Sequence, residues 1–168
     1  MAPMNRPAAE GEGGSVTLEP AAFAQALRPG TRLLGLDVGT KTIGLALSDV
    51  TCTIATGLTT LRRGKFASDA RRLLELAQEH GVGGLVVGLP VNLDGSEGPR
   101  AQSTRAFVRN LRALTTLPIL LWDERLSTAA AERALLEADL SRRRRAMVID
   151  KVAATLILQS ALDRLRRA

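Results

Sequence analysis

Arg32-Leu33-Leu34-Gly35-Leu36-Asp37-Val38-Gly39-Thr40-Lys41-Thr42-Ile43-Gly44 is the stretch that decides the fold. An apolar run ends in an acid, a glycine turn follows at once, and a second apolar run continues to Ser48. The pattern predicts a strand from Arg32 to Asp37, a turn at Gly39 to Lys41 and a strand from Thr42 to Ser48, since short turns join antiparallel neighbours. An acid at the carboxyl end of a buried strand faces a place where a cation or a phosphate can sit. Two chemistries fit Asp37: a ligand for a divalent metal in a phosphodiester nuclease, or part of a Gly-Thr-Lys phosphate cradle as in actin-like ATPases and sugar kinases.

Outward from this hairpin, a third and weaker strand is expected from about Thr53 to Leu61. Ala70, Leu73, Leu74 and Ala77 have the spacing of an amphipathic helix over Ala67 to His80, which Gly81 ends. Leu85-Val86-Val87 reads as a short buried strand, followed by the loop Gly88 to Pro99. Arg100 to Leu114 reads as a helix with Phe107, Leu111 and Leu114 on one face, and Pro118 opens a strand from Ile119 to Asp123. Two helices finish the chain, Ser127 to Glu137 and Met147 to Arg166, with the arginine run Arg142 to Arg145 between them. Three strands on tight turns followed by strand-helix alternation give an α/β fold, a mixed sheet with helices on both faces. Residues 1–30 are expected to form a largely disordered extension carrying a short helix over Glu19 to Arg28, and residues 31–168 the domain proper.

A chain of 168 residues, 45% apolar and 24% charged, suits one domain with a good core and leaves little room for the second domain that an ATPase cleft needs. There is no apolar stretch of membrane-spanning length and no signal-peptide pattern at the start. Cys52 is the one cysteine, so an internal disulfide is excluded, which fits a cytoplasmic setting. The net charge of +6 favours an acidic partner, and nucleic acid is the commonest. From Ser141 onward eight Lys or Arg stand against two Asp, so the last 28 residues carry as much net charge as the whole chain. Aromatic residues make up only 2%, which argues for backbone contact over base stacking.

Further acids fall where the fold could bring them to Asp37. Asp123 and Glu124 close the strand that begins at Ile119. Asp150 shares a helical stripe with Ala153, Ala154, Ile157 and Ala161, where an acid is costly unless paired or bound to a cation. Capping is the plain alternative for each acid taken singly. Together they would form an oxygen-rich site suited to Mg²⁺ or Mn²⁺, with two ions about 4 Å apart activating water for in-line attack on a phosphodiester. The single histidine, His80, excludes a histidine-rich zinc site. Lys41 and Arg125 are candidate phosphate contacts, or ion-pair partners of Asp37 and Glu124. Trp122 is expected in the core.

Four ordered blocks carry a family resemblance: Leu36-Asp37-Val38-Gly39-Thr40-Lys41-Thr42-Ile43-Gly44, then Val87-Gly88-Leu89-Pro90-Val91-Asn92-Leu93-Asp94-Gly95-Ser96-Glu97-Gly98-Pro99, then Asp123-Glu124-Arg125-Leu126-Ser127-Thr128, and last Ile149-Asp150-Lys151-Val152-Ala153-Ala154. They closely resemble the YqgF family, also called RuvX, over about Thr31 to Leu165. The resemblance implies an RNase H-like fold and a cytoplasmic metal-dependent nuclease acting in ribosome biogenesis on the 5′ end of the small-subunit (pre-16S) rRNA precursor, or a Holliday junction resolvase. It implies Asp37, Glu124 and Asp150 as the metal-binding and catalytic acids, with Asp123 as the alternate to Glu124. Substrate contacts are expected at Lys41, Asn92, Arg125, Arg142 and Arg143, and the protein as a monomer or homodimer. A reading of another class is a non-catalytic RNA-binding assembly factor that keeps the fold and the basic surface.

Overall fold

A computed structural model describes residues 13–127 and 142–167, the side chains of 142–150 apart. The opening stretch forms β2 (Arg32–Val38) and β3 (Thr42–Ser48), antiparallel in the register Asp37 opposite Gly44, with Gly39 N–H donating to the Thr42 carbonyl at 2.9 Å across the turn. β4 (Ala55–Arg62) pairs antiparallel with β3. After α2 (Phe66–Glu79), β5 (Val82–Leu89) returns parallel to β2, and after α3 (Pro99–Arg112), β6 (Ile119–Asp123) lies parallel to β5. A 3₁₀ turn (Glu124–Leu126) follows, and α4 (Arg142–Leu165) ends the described chain. With β1 (Val16–Thr17) on β6, the sheet order is β1-β6-β5-β2-β3-β4, a mixed sheet of the kind the sequence predicts.

Both faces are covered, which is why the central strands read as nearly unbroken apolar runs. Leu34, Leu36 and Val38 turn to one face, under α2 and α3 with Leu73, Phe107 and Leu111. Leu33, Val86, Leu120 and Trp122 turn to the other, under α1 (Pro20–Ala26) and α4 with Phe23, Ala154, Ile157 and Leu158. Trp122 is thus a core residue, as expected.

Gly35, Ala46 and Gly57 stand side by side on β2, β3 and β4. They form a trough in which α4 lies. A Cβ added at Gly35 would come within 2.7 Å of Leu158 Cβ and 3.1 Å of the Ala154 carbonyl oxygen, and one at Gly57 within 2.7 Å of Lys151 Cε. At Gly35 the obstruction includes helix backbone, which cannot step aside. Gly35→Ala is therefore expected to lower stability by about 1–3 kcal/mol, the usual cost of overpacking. Gly64→Ala, whose Cβ meets nothing nearer than Asp69 Oδ1 at 3.9 Å, serves as the neutral control in thermal denaturation.

Residues 13–30 are joined to the sheet: Val16 and Thr17 pair with Ile119 and Leu120, Gly14 N–H donates to the Thr115 carbonyl at 2.7 Å, and Phe23 is buried against β5. Residues 1–12 lie outside the described ones. Two expectations are corrected. β5 begins at Val82, three residues before the expected start, because Gly83 and Gly84 make room for Thr31, Leu27 and Phe23. The last helix, α4, begins with the arginine run at Arg142 and not at Met147 as expected, arginine being a good helix former. The helix expected over Ser127 to Glu137 falls outside the described residues, apart from Ser127, which follows the 3₁₀ turn.

Candidate functional site

Side chains alternate along β2, so Asp37 shares the α4 face with Gly35. It is 1% exposed. The register Leu36 opposite Val87 places it beside Gly88 of β5, and Gly88 in turn stands opposite Trp122 of β6.

Trp122 lies in the α4-side core, so alternation turns Asp123 to the other face and brings the next residue, Glu124, back. Glu124 is buried, and its carboxylate reaches over β5: a Cβ at Gly88 would lie 2.8 Å from Glu124 Oε1 and 2.5 Å from Ile157 Cδ1. Asp37 and Glu124 therefore enter the same layer from the two strands that flank β5. Those strands are about 10 Å apart at the usual sheet spacing, and the bare backbone of Gly88 lies between them.

Asp123 has a different task. It is partly exposed and caps the 3₁₀ turn, its Oδ1 accepting the Arg125 N–H at 2.9 Å. Arg125 Nε donates at 3.0 Å and Nη2 at 2.6 Å to Oδ2. These side-chain hydrogen bonds hold the Asp123 carboxyl below the usual carboxylate range and raise Arg125 above the usual guanidinium value. The partner expected for Arg125 was Glu124 or a phosphate, yet its fork is taken by Asp123.

Lys41 sits exposed in the β2–β3 turn at the same end of the sheet, and it forms no ion pair among the described residues. The cation that reaches Asp37 is instead Arg100, from the first turn of α3, with Nη2 3.5 Å from Oδ1. Sequence reading passed over Arg100, though a signal was available. A helix's first turn favours acids, and α3 has none there and an arginine instead.

Asn92 braces its own loop. Its Nδ2 donates to Ser96 Oγ at 3.0 Å and its N–H to the Ser96 carbonyl at 2.9 Å, while Gly95, at φ +89°, returns an N–H to the Asn92 carbonyl. Hydrogen bonds from Ser96 hold Asp94 below the usual carboxylate range. Glu97 pairs with Arg105 through Nη2 at 2.9 Å. The loop tip reaches Arg125, whose Nη1 would lie 3.6 Å from a Cβ at Gly95.

Asp150 belongs to α4, one helical turn before Ala154; its side chain, like those of Arg142 and Arg143, lies outside what is described. Among the described residues no three His, Cys, Asp or Glu group as metal ligands. The pair that is described does suit a divalent ion: two carboxylates are hard oxygen donors, and at Gly88, on the strand between theirs, the Glu124 carboxylate and Ile157 come so close that a Cβ would not fit. An open hollow of about 430 Å³ lies at the other end of β2, lined by Arg32, Ser48 and Ile54, away from the acids. No described helix is long and apolar enough to cross a membrane.

Relatives match along most of the chain. A protein of Paracoccus denitrificans named "Putative pre-16S rRNA nuclease" is 65% identical over 144 residues, covering 86% of this chain and 91% of that one. A protein of the same name from Methylocella silvestris is 59% identical over 150 residues, covering 89% and 93%. Among solved structures, Thermus thermophilus RuvC in complex with a Holliday junction substrate overlays with a TM-score of 0.49 at 12% identity, covering 80% of this chain and 95% of that one. The likeness to the curated relatives places the chain among the nucleases, hydrolases of phosphodiester bonds. The RuvX family model, described as Holliday junction resolvase, matches residues 31–164, and the chain belongs to the RuvX family.

Proposed function

We propose that the chain is a divalent-metal-dependent nuclease that cleaves precursor small-subunit rRNA, with Asp37, Glu124 and Asp150 as the acids that hold the metal. The observation that carries this reading is the burial of Asp37 and Glu124, 1% and 6% exposed, on one face of the sheet with only the backbone of Gly88 between their strands. Carboxylates buried on one face of a sheet favour a bound cation. Mg²⁺ or Mn²⁺ held by these acids would supply a lowered pKa for the attacking water and charge stabilisation for the leaving oxygen.

The chain's own residues do the rest. β2 and the 3₁₀ turn fix the two acids, and the braced loop 92–97 gives the substrate a firm wall. Arg125, clamped by Asp123, presents one charge at that wall, and Lys41 offers a second from the β2–β3 turn. The names of the relatives support RNA as the substrate, while the family description makes a four-way DNA junction the arm to test against it.

The test incubates wild type and Asp37→Asn with a labelled pre-16S fragment and with a four-way junction, in Mn²⁺ or in chelator, and maps the cuts. Wild type is expected to cut the RNA only with metal, and Asp37→Asn to remain folded and inactive. Cleavage by folded Asp37→Asn would remove the metal-site reading, and cutting of the junction alone would transfer the activity to DNA. Tight, salt-sensitive RNA binding with no cleavage under any metal would favour a non-catalytic assembly factor.

A further inference from the structure

We infer that Arg100 is a metal-gated phosphate contact: it occupies Asp37 while the site lacks its cation, and it passes to the substrate's backbone when the metal takes that carboxylate. This inference rests on the reading of Asp37 as a metal ligand. Arg100 stands in the first turn of α3, and α3 packs through Phe107, Val108 and Leu111 on the face opposite α4. Its guanidinium therefore comes round the end of β2 to meet Asp37, at 3.5 Å, with 43% of the side chain still exposed. It thus joins a buried acid to the solvent-exposed surface at this end of the sheet.

Three other arginines among the described residues are more firmly held. Arg125 makes four hydrogen bonds to Asp123, Arg105 makes two to Glu97, and Arg63 donates to the Gly39 carbonyl at 2.7 Å while lying over the Phe107 ring. Arg100 has one contact at the long end of the ion-pair range. A divalent ion on Asp37 would repel a guanidinium this close, and a side chain held by a single long contact is free to move away. Once released, its planar fork suits a phosphate oxygen pair.

The prediction is a pair of opposite effects on the full chain. By calorimetry, Arg100→Ala is expected to bind Mn²⁺ three- to ten-fold more tightly than wild type, because a competing cation is gone. By fluorescence anisotropy with a labelled pre-16S fragment, read before cleavage and with the RNA verified intact, Arg100→Ala is expected to bind five- to ten-fold more weakly in Mn²⁺. Its salt slope should fall by about one. In chelator, where Arg100 is held by Asp37, the two proteins are expected to bind RNA within two-fold of each other. Arg100→Lys is expected to regain less than half of the lost RNA affinity, lacking the fork.

A purely structural arginine would change RNA binding equally with and without metal, and that result overturns the inference, as does an unchanged Mn²⁺ affinity in Arg100→Ala. Asp37→Asn separates the two levels. If it loses Mn²⁺ affinity while Arg100→Ala binds the ion like wild type, only the role of Arg100 falls. If Asp37→Asn and wild type bind Mn²⁺ alike, the acid site itself is wrong and Arg100's role goes with it.

Discussion

Glu124→Gln is expected to lower the single-turnover cleavage rate by about 10³-fold or more, and Asp123→Asn by no more than about 10-fold. The two acids are adjacent in sequence and chemically alike, so the difference comes from the face each one occupies. Glu124 is buried on the α4 side with its carboxylate above Gly88, in the layer that Asp37 also enters. Its amide analogue would keep the shape and lose the charge. Asp123 points away, held by Arg125. As asparagine it can still accept hydrogen bonds through its carbonyl oxygen, and what it forfeits is the charge that clamps Arg125. Rates measured at saturating Mn²⁺, with circular dichroism to establish folding, decide the matter. If Asp123→Asn proves the more damaging, Glu124 is not the ligand.

The choice between those two acids was not legible in the sequence, and the reason is physical. A sheet covered on both faces gives its strands no polar side to mark outward from inward, so Leu120 to Asp123 shows no alternation to count from. The burial of Trp122 beneath α4 supplies the missing phase. β2 and β3, by contrast, could be read directly, since a glycine turn and an acid bound their apolar runs and the hairpin fixes their register.

Glycine and arginine misled for a related reason: each was judged by its average behaviour. Gly83 and Gly84 look like a turn before a strand, but they lie within β5 where Thr31 and Phe23 press against it. The Ala- and Gly-rich stretch before residue 30 looks disordered, yet Gly14 fits against the Leu117 carbonyl where a Cβ would come within 2.3 Å. Close approach is a property of what lies opposite, and the local sequence does not carry it. Arg100 was hidden differently. Its partner, Asp37, is 63 positions away in the chain and comes near only through the crossover that sets β5 between them.

Gly88→Ala is expected to lower cleavage by about 10²-fold while changing stability by less than about 1 kcal/mol. The new Cβ would fall 2.8 Å from Glu124 Oε1 and 2.5 Å from Ile157 Cδ1, and both atoms are at the far ends of their side chains. Neither the backbone of β5 nor that of α4 needs to move. Alanine also costs the unfolded chain less entropy to order in a strand than glycine does, which offsets part of the crowding. The methyl group would push the Glu124 carboxylate from its place over β5, so the loss should fall on Mn²⁺ affinity and cleavage together, leaving the melting temperature nearly unmoved. Gly35→Ala is the counterpart. There the added atom meets Leu158 Cβ and the Ala154 carbonyl, the helix itself must shift, and the expected loss falls first on stability. Two glycines on neighbouring strands, both beneath α4, are thus expected to fail in different ways. If Gly88→Ala unfolds the protein as Gly35→Ala weakens it, Gly88 is packing and not the floor of a site.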